Sequence, residues 1–298
     1  METLTEYLRA TIRLSVPLLL AALGGSFMQV AGVPNVAMEG MMLISALVGY
    51  IMSYVTGSWA LGLLFGVLAA VVVGLFYALL VLRFKADVFA IGITLNILLT
   101  GISAYILRQY YNQNSILLFP NTPQLPTINY KIFENSPILA SLFNDYSLLI
   151  PISFLLVIVI WLVFYKTPYG FWLRAAGYNA DSLLASGKSV DGIRLSGFIL
   201  SAVLCGLAGV HLSLGYMGMF TLTLVSGRGF IALAIVLFGS GDPIVVLIAS
   251  LIFGIANAAS LRIPSTIPPQ IPLMLPYIIT IIAITVMSRF SKSKSASD

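Results

Sequence analysis

The sequence predicts an all-α, polytopic membrane protein, and two observations support this prediction. Hydrophobic residues make up 59% of the 298-residue chain, charged residues make up only 8%, and the mean hydropathy is +1.03. These values lie outside the range of water-soluble domains. The apolar residues also fall into runs of about 20, the length of helix that crosses roughly 30 Å of hydrocarbon.

We predict nine such segments and treat residues 1–298 as a single transmembrane domain. The segments are 11–32, 36–55, 59–82, 87–107, 147–165, 195–215, 226–241, 244–260 and 273–288. The seventh and eighth are short, and only Gly239 to Pro243 separates them. The pattern therefore leaves open whether these two cross the membrane or form a re-entrant pair.

The basic residues predict an orientation with the N-terminus outside and the C-terminus inside. In this orientation nine of the 15 Lys and Arg residues face the cytoplasm, the side on which short basic loops are retained. The interval 108–146 then becomes an extracytoplasmic loop, which caps the pore, meets an extracellular partner or is an idle connection. Four segments precede a central fifth and four follow, so the first and sixth run in opposite directions, as in an inverted repeat.

The interval 166–194 is the one chemically varied polar stretch between the apolar segments, and it is predicted to be cytoplasmic. It opens on KTPYG, which indicates a helix end followed by a turn. A short helix should follow, since Asn179 can cap its start, Asp181 lies in its first turn and Gly187 can end it. Such a helix either binds a soluble partner or is only a connector on the membrane surface.

Polar residues interrupt the join between the first two segments. Gly32, Pro34, Asn35 and Glu39 all fall there, and broken helices with a carboxylate in the apolar zone are typical of transport pathways. Glu39 has a second interpretation, that it caps the N-terminus of the second helix, and the two are compatible.

Two further polar positions lie inside predicted segments. Asn96, with Thr94 close by, either bonds to another helix or lines a substrate cavity. His211 is the only histidine and is either a structural hydrogen-bonding group or a ligand or proton relay.

The motifs that the sequence lacks narrow the function further. It contains no P-loop, no HExxH motif, no Cys/His cluster and no GxSxG motif, and its single Cys205 forms no disulfide framework. We therefore predict no catalytic site, metal or cofactor, and no ATP hydrolysis by this chain alone. The remaining classes are a passive channel or a translocation subunit driven by a partner, with a stand-alone secondary transporter and an intramembrane enzyme as competitors.

Over nearly its whole length the chain resembles the permease subunits of ABC importers for sugars, nucleosides and branched-chain amino acids, and it is closest to the nucleoside branch. The motifs are LRAAGYN at 173–179 with Ala185 to Gly187, GVPNVAMEGMM at 32–42, TLN at 94–96 and GFIALA at 229–234. In this family the first motif belongs to the cytoplasmic loop that couples the permease to its ATPase.

The resemblance implies a function, a location and a set of partners. The chain would be a multi-pass plasma-membrane pore subunit that joins a second, similar permease, cytoplasmic ATP-binding subunits and an extracytoplasmic substrate-binding protein or lipoprotein. The ATPase-coupling residues would be Arg174, Ala175, Ala176, Gly177, Asn179, Ala185 and Gly187.

For the substrate pathway we expect Gln29, Asn35, Glu39, Thr94 and Asn96. Uncharged groups such as Gln29, Thr94 and Asn96 suit a neutral, hydroxyl-rich substrate, since an ionic substrate would require a buried counter-charge. A nucleoside fits this chemistry, and a simple sugar is the alternative.

Overall fold

The computed structural model describes residues 2–128 and 146–260. This part of the chain contains ten α-helices. They are α1 (Glu2–Val30), α2 (Met38–Thr56), α3 (Trp59–Ala78), α4 (Val88–Tyr111), α5 (Leu149–Lys166), α6 (Pro168–Tyr178), α7 (Ala180–Ala185), α8 (Val190–Val210), α9 (Arg228–Phe238) and α10 (Pro243–Ser260). A π-helical turn extends α3 over Leu79–Arg83, and another extends α8 over His211–Met217.

Four two-residue strands hold the connections at one end of the bundle. Strand β1 (Ile116–Leu117) pairs antiparallel with β4 (Phe220–Thr221), and β2 (Thr127–Ile128) pairs antiparallel with β3 (Tyr146–Ser147). All four belong to the predicted extracytoplasmic side. Part of the predicted loop 108–146 lies outside the described residues.

The helix lengths confirm an all-α, polytopic membrane fold. Among the described residues, seven helices are long and apolar enough to cross a membrane: α1, α2, α3 with its π-helical turn, α4, α5, α8 with its π-helical turn, and α10. The predicted seventh segment, 226–241, contains only the 11 residues of α9. Such a helix is about 16 Å long, too short to cross by itself. The chain enters α9 from β4, on the predicted extracytoplasmic side, and leaves it at Asp242, which bonds to Tyr165 near the end of α5. The segment therefore does not turn back as a re-entrant pair would. The predicted ninth segment, 273–288, lies outside the described residues.

Helix α1 forms the axis of the bundle. Its central side chains, from Val16 to Leu23, are buried on every side, and the helix contacts α5, α6, α8, α9 and α10. Close packing depends on Gly24, because a Cβ atom there would lie 2.8 Å from the Ser201 carbonyl oxygen of α8. Small residues of this kind let membrane helices approach closely.

Helices α1 and α8 run antiparallel, as the predicted inverted arrangement requires. Gly24 lies opposite Ser201, and three residues further along α1, Phe27 lies opposite Gly197. Each of these helices is followed by a non-helical segment and then by a helix that starts inside the bundle: α2 follows residues 31–37, and α9 follows residues 218–227. The outward orientation of the N-terminus stays a prediction.

Candidate coupling surface and substrate pathway

The interval 166–194 folds into two short helices, whereas the sequence predicted one. Thr167 accepts a hydrogen bond from the Gly170 N–H at 3.3 Å and caps α6, which begins at Pro168. Proline is favoured in the first turn of a helix because its missing N–H is not needed there. The KTPYG stretch was therefore wrongly interpreted as a turn, and α6 was missed.

The second helix, α7, has the predicted boundaries. The Asn179 side chain accepts a hydrogen bond from the Ser182 N–H at 3.1 Å, as predicted for an N-cap. Gly187 follows the helix end with a φ of +77°, a backbone conformation that favours glycine.

Helix α6 is fixed to the bundle at its C-terminal end. At Gly177 a Cβ atom would lie 2.2 Å from the Val30 carbonyl oxygen, so only glycine allows this approach to α1. The Arg194 guanidinium donates to the Ala31 carbonyl at 3.3 Å and to the Ala176 carbonyl at 3.0 Å. Arg194 thus joins the ends of α1 and α6 to the start of α8, a role that its charge alone did not indicate.

A further bond joins the start of α6 to α8. The Tyr169 hydroxyl lies 2.7 Å from the Ser196 hydroxyl, and burial raises the pKa of Tyr169. This contact and the Arg194 bond to the Ala176 carbonyl attach both ends of α6 to α8.

The outward side of the two short helices is exposed. Tyr178 is 90% exposed and Leu184 is 56% exposed, although Leu183 beside it is buried against Ala176 and Val190. The predicted coupling residues divide accordingly. Gly177, Asn179, Ala185 and Gly187 are exposed, Arg174 and Ala175 are half-buried, and Ala176 is buried.

A pocket of about 420 Å³ lies between this surface and the bundle. Its lining includes Gln29 at the end of α1, Arg174 from α6, and Asp242 in the turn between α9 and α10. The Tyr165 hydroxyl donates to the Asp242 carboxylate at 2.6 Å. The buried Gln29 Oε1 atom has no hydrogen-bond partner among the described residues. Gln29 therefore lies beside the predicted coupling loop.

Asn35 and Asn96 belong to a different group, at the break between α1 and α2. Asn96 accepts from the Gly40 N–H and donates to the Val36 carbonyl, both at 2.8 Å. Asn35 donates to the Ser201 hydroxyl at 2.8 Å and accepts from the Ala37 N–H at 2.9 Å. In this conformation both amides satisfy groups of the protein itself.

Thr94 lies on an exposed face of α4 and donates to the Ala90 carbonyl of its own helix at 2.8 Å. It is separate from the amides at the break, although it lies only two residues from Asn96.

Glu39 caps a helix, but not its own. Its two carboxyl oxygens accept hydrogen bonds from the Gly227 and Gly229 N–H groups, each at 2.7 Å. These groups form the N-terminus of α9, and within the described part of the chain no side chain caps α2. The interpretation of Glu39 as a cap for the second helix is therefore wrong, because its partners are nearly 190 positions away in the sequence.

His211 begins the π-helical turn after α8 and is buried. Its Nδ1 atom lies 3.4 Å from the Ser147 hydroxyl of β3. The residue therefore contacts the predicted extracytoplasmic connection and not the coupling surface.

The fold is that of a polytopic membrane protein with an exposed, anchored surface at 168–185. Residues 7–284 match the family described as "Branched-chain amino acid transport system / permease component", and the chain belongs to this family. The predicted family is thus confirmed, and the chain is a multi-pass plasma-membrane transport subunit.

Three relatives show the breadth of the similarity. The chain is 30% identical to the nucleoside ABC transporter permease protein NupC of Lactococcus lactis, covering 91% of this chain and 88% of the relative. It is 31% identical to the guanosine ABC transporter permease protein NupQ of Bacillus subtilis, covering 95% and 92%. It is 30% identical to the putative glucose ABC transporter permease protein TsgC13 of Haloferax volcanii, covering 89% and 81%. No solved structure matches the chain.

Proposed function

We propose that this chain is the translocation-pore subunit of an ATP-driven importer for nucleosides. The observation that carries the proposal is the surface formed by α6 and α7, which is exposed outward and fixed inward to α1 and α8 through Gly177 and Arg194. A passive connector would not need such anchoring. Because the sequence has no P-loop, the energy must come from partner ATP-binding subunits.

The ATPase partner would bind the exposed side of this surface. Tyr178 and Leu184 offer it an aromatic ring and an aliphatic side chain, the type of group that dominates binding when it enters a pocket. Closure of the ATPase would push on α6, and the Arg194 contacts would pass the movement to α1 and α8. The pore would then open alternately on each side.

Two more partners complete the importer. A second permease subunit would provide the other half of the pore, and an extracytoplasmic substrate-binding protein or lipoprotein would deliver the substrate near the loop 108–146. These partners are expected from the family and from the names of its relatives as ABC transporter proteins.

The substrate assignment is supported by the relatives and by the polar groups of the chain. The relatives in L. lactis and B. subtilis are named for nucleoside and guanosine transport. Of the five proposed pathway residues, Gln29, Asn35, Thr94 and Asn96 are uncharged, and Glu39 is the exception. We assign substrate contact to Gln29 and Thr94. The two asparagines would instead position the broken helix, since their amides already form hydrogen bonds within the protein.

A simple sugar is the second candidate because the relative in H. volcanii is named as a putative glucose permease. Sugars and nucleosides share neutral hydroxyl groups, so the same uncharged side chains suit both. An uptake assay must therefore compare the two classes.

Affinity purification of the tagged chain from its native membrane tests the coupling role. We expect mass spectrometry to find a P-loop ATPase with the unaltered chain and to lose it with Leu184→Asp. Tyr110→Ala is a matched control, because Tyr110 is also exposed, at 72%, but lies at the opposite end of the bundle. Recovery of the chain alone, also after cross-linking, would favour a stand-alone carrier.

Uptake into vesicles that contain the recovered subunits tests the substrate. Radiolabelled guanosine and uridine should accumulate only when ATP is present on the ATPase side. Accumulation of glucose with neither nucleoside would replace the nucleoside assignment with the sugar one.

A further inference from the structure

Two interrupted helices meet at their N-termini inside the bundle. Helix α2 begins at Met38 and α9 begins at Arg228, each after a non-helical segment. The contact is made by Glu39, whose two carboxyl oxygens accept from the Gly227 and Gly229 N–H groups at 2.7 Å. We call Glu39, Gly227 and Gly229 the α2–α9 junction.

The α2–α9 junction lies beside the interior of α4 and not beside its end. The residue after Glu39, Gly40, is hydrogen-bonded to Asn96, which is eight positions from the start of α4 at Val88. Eight residues of helix correspond to about 12 Å. In that position an isolated carboxylate is unfavourable, so its partners decide whether it is tolerated.

The partners of Glu39 form a closely fitted site. At Gly229 a Cβ atom would lie 2.4 Å from the Glu39 nitrogen, and Gly227 has a φ of +81°, which favours glycine. The N-terminus of α9 carries partial positive charge, and N–H bonds to a carboxylate are strengthened by its charge. The Arg228 guanidinium is also near Glu39 and donates to the Leu224 carbonyl at 2.5 Å.

Helix α9 connects the two ends of the molecule. Before it, the segment 218–227 is held by the pairing of β1 with β4, on the predicted extracytoplasmic side. After it, Asp242 bonds to Tyr165 and lines the pocket beside α6. The α2–α9 junction is thus the point where α2 is attached to the segment 218–242, which runs from the outer connections through α9 to the coupling surface.

We propose that Glu39 is a positioning residue that holds α2 and α9 together as one moving unit, and that it is not a substrate ligand. The proposal rests on the transport function proposed above. Both carboxyl oxygens of Glu39 are engaged by backbone N–H groups, so its charge is matched within the protein. Loss of the contact would let α9 move without α2, and a push at the coupling surface would no longer change the pore.

Glu39→Gln is the main test. The amide keeps the size of the side chain, but its NH₂ group would face one of the two backbone N–H groups. Because both groups are donors, one of the two hydrogen bonds is lost. Asp87→Asn is the matched control: Asp87 accepts from the Ala90 N–H at 2.8 Å and caps its own helix, a role that asparagine also fills. Both variants are made in the full chain and assembled with the recovered partner subunits.

Two measurements are made on each variant. The first is nucleoside uptake, with KM and maximal rate determined separately for guanosine and uridine. The second is the labelling rate of a cysteine at the exposed Thr223, introduced as Thr223→Cys with Cys205→Ser, by a membrane-impermeant maleimide. For Glu39→Gln we expect at least a tenfold lower maximal rate, KM values within twofold, and several-fold faster labelling.

Several outcomes would overturn the proposal. A changed KM ratio between guanosine and uridine at an unchanged maximal rate would make Glu39 a substrate ligand. Unchanged uptake and labelling would show that the contact is dispensable. If Glu39→Gln does not reach the membrane, Gly229→Ala tests the same contact by steric clash, and it should give the same phenotype.

If neither variant is recovered in the membrane, the α2–α9 junction is required for folding and not for transport, which also overturns the proposal. If the unaltered chain transports none of the tested solutes, the proposed function fails instead. The labelling comparison still tests the contact in that case.

Discussion

Replacing Gly177 by alanine is the sharpest test of how α6 is fixed to α1. The added Cβ atom would lie 2.2 Å from the Val30 carbonyl oxygen and must move by about 1.2 Å to reach an ordinary contact of 3.4 Å. A shift of that size would also strain the Arg194 bond to the Ala176 carbonyl, now 3.0 Å.

Three effects determine the change in the free energy of unfolding: two lower it and one raises it. Overpacking of a close contact costs about 1–3 kcal/mol, and a weakened hydrogen bond to a charged group costs up to about 1.5–3 kcal/mol. Helix propensity favours alanine over glycine by about 1 kcal/mol. The clash outweighs propensity, so we expect Gly177→Ala to lower the free energy of unfolding by about 1–4 kcal/mol.

The assay is thermal unfolding of the purified chain in mild detergent, together with ATP-driven uptake by the assembled importer. Gly101→Ala is the control, because Gly101 lies within α4 and a Cβ atom there meets nothing within 4 Å. The control should be neutral or more stable, since only propensity acts. A Gly177→Ala chain that matches the control in stability and uptake would refute the proposed close contact.

Three further variants test other contacts. Asn96→Ala removes two backbone hydrogen bonds at the break before α2 and should destabilise the chain in thermal unfolding by about 1–3 kcal/mol, whereas Thr94→Val, on the exposed face, should have little effect. Arg194→Gln should leave the ATPase bound in co-purification but reduce ATP-driven uptake, because its two contacts with α1 and α6 are lost; uptake at the unaltered rate would contradict this. Asn179→Ala should cost about 1 kcal/mol at the start of α7 and weaken ATPase recovery, while Asn179→Asp keeps the cap and should behave like the unaltered chain.

Much of the fold could be predicted from the sequence because membrane helices are governed by length and apolarity. The same local physics identified Asn179 as a cap and Gly187 as a helix end. The error at Pro168 arose because proline and glycine favour turns and also favour the first turn of a helix. The contacts of α6 with α1 and α8, which lie far from Pro168 in the sequence, favour the helix.

The candidate site was less predictable because its contacts join distant parts of the chain. Glu39 was recognised as unusual, but its partners at 227 and 229 carry no side chains that could indicate the contact. Gln29 and Asn35 are close in sequence, yet one lines the pocket beside α6 and the other bonds to Ser201 of α8. A single sequence shows which polar groups are costly to bury. It does not show which backbone groups form hydrogen bonds with them.

The buried position of α1 also has a consequence for biogenesis. During translation α1 emerges early, but the helices that cover it, α8, α9 and α10, are made only after residue 190. Until then its small-residue face, including Gly24, must be covered by lipid or by the insertion machinery. The axis of the finished bundle, α1, belongs to the first half of the inverted repeat, and the helices that cover it belong to the second. We therefore expect that neither half folds without the other.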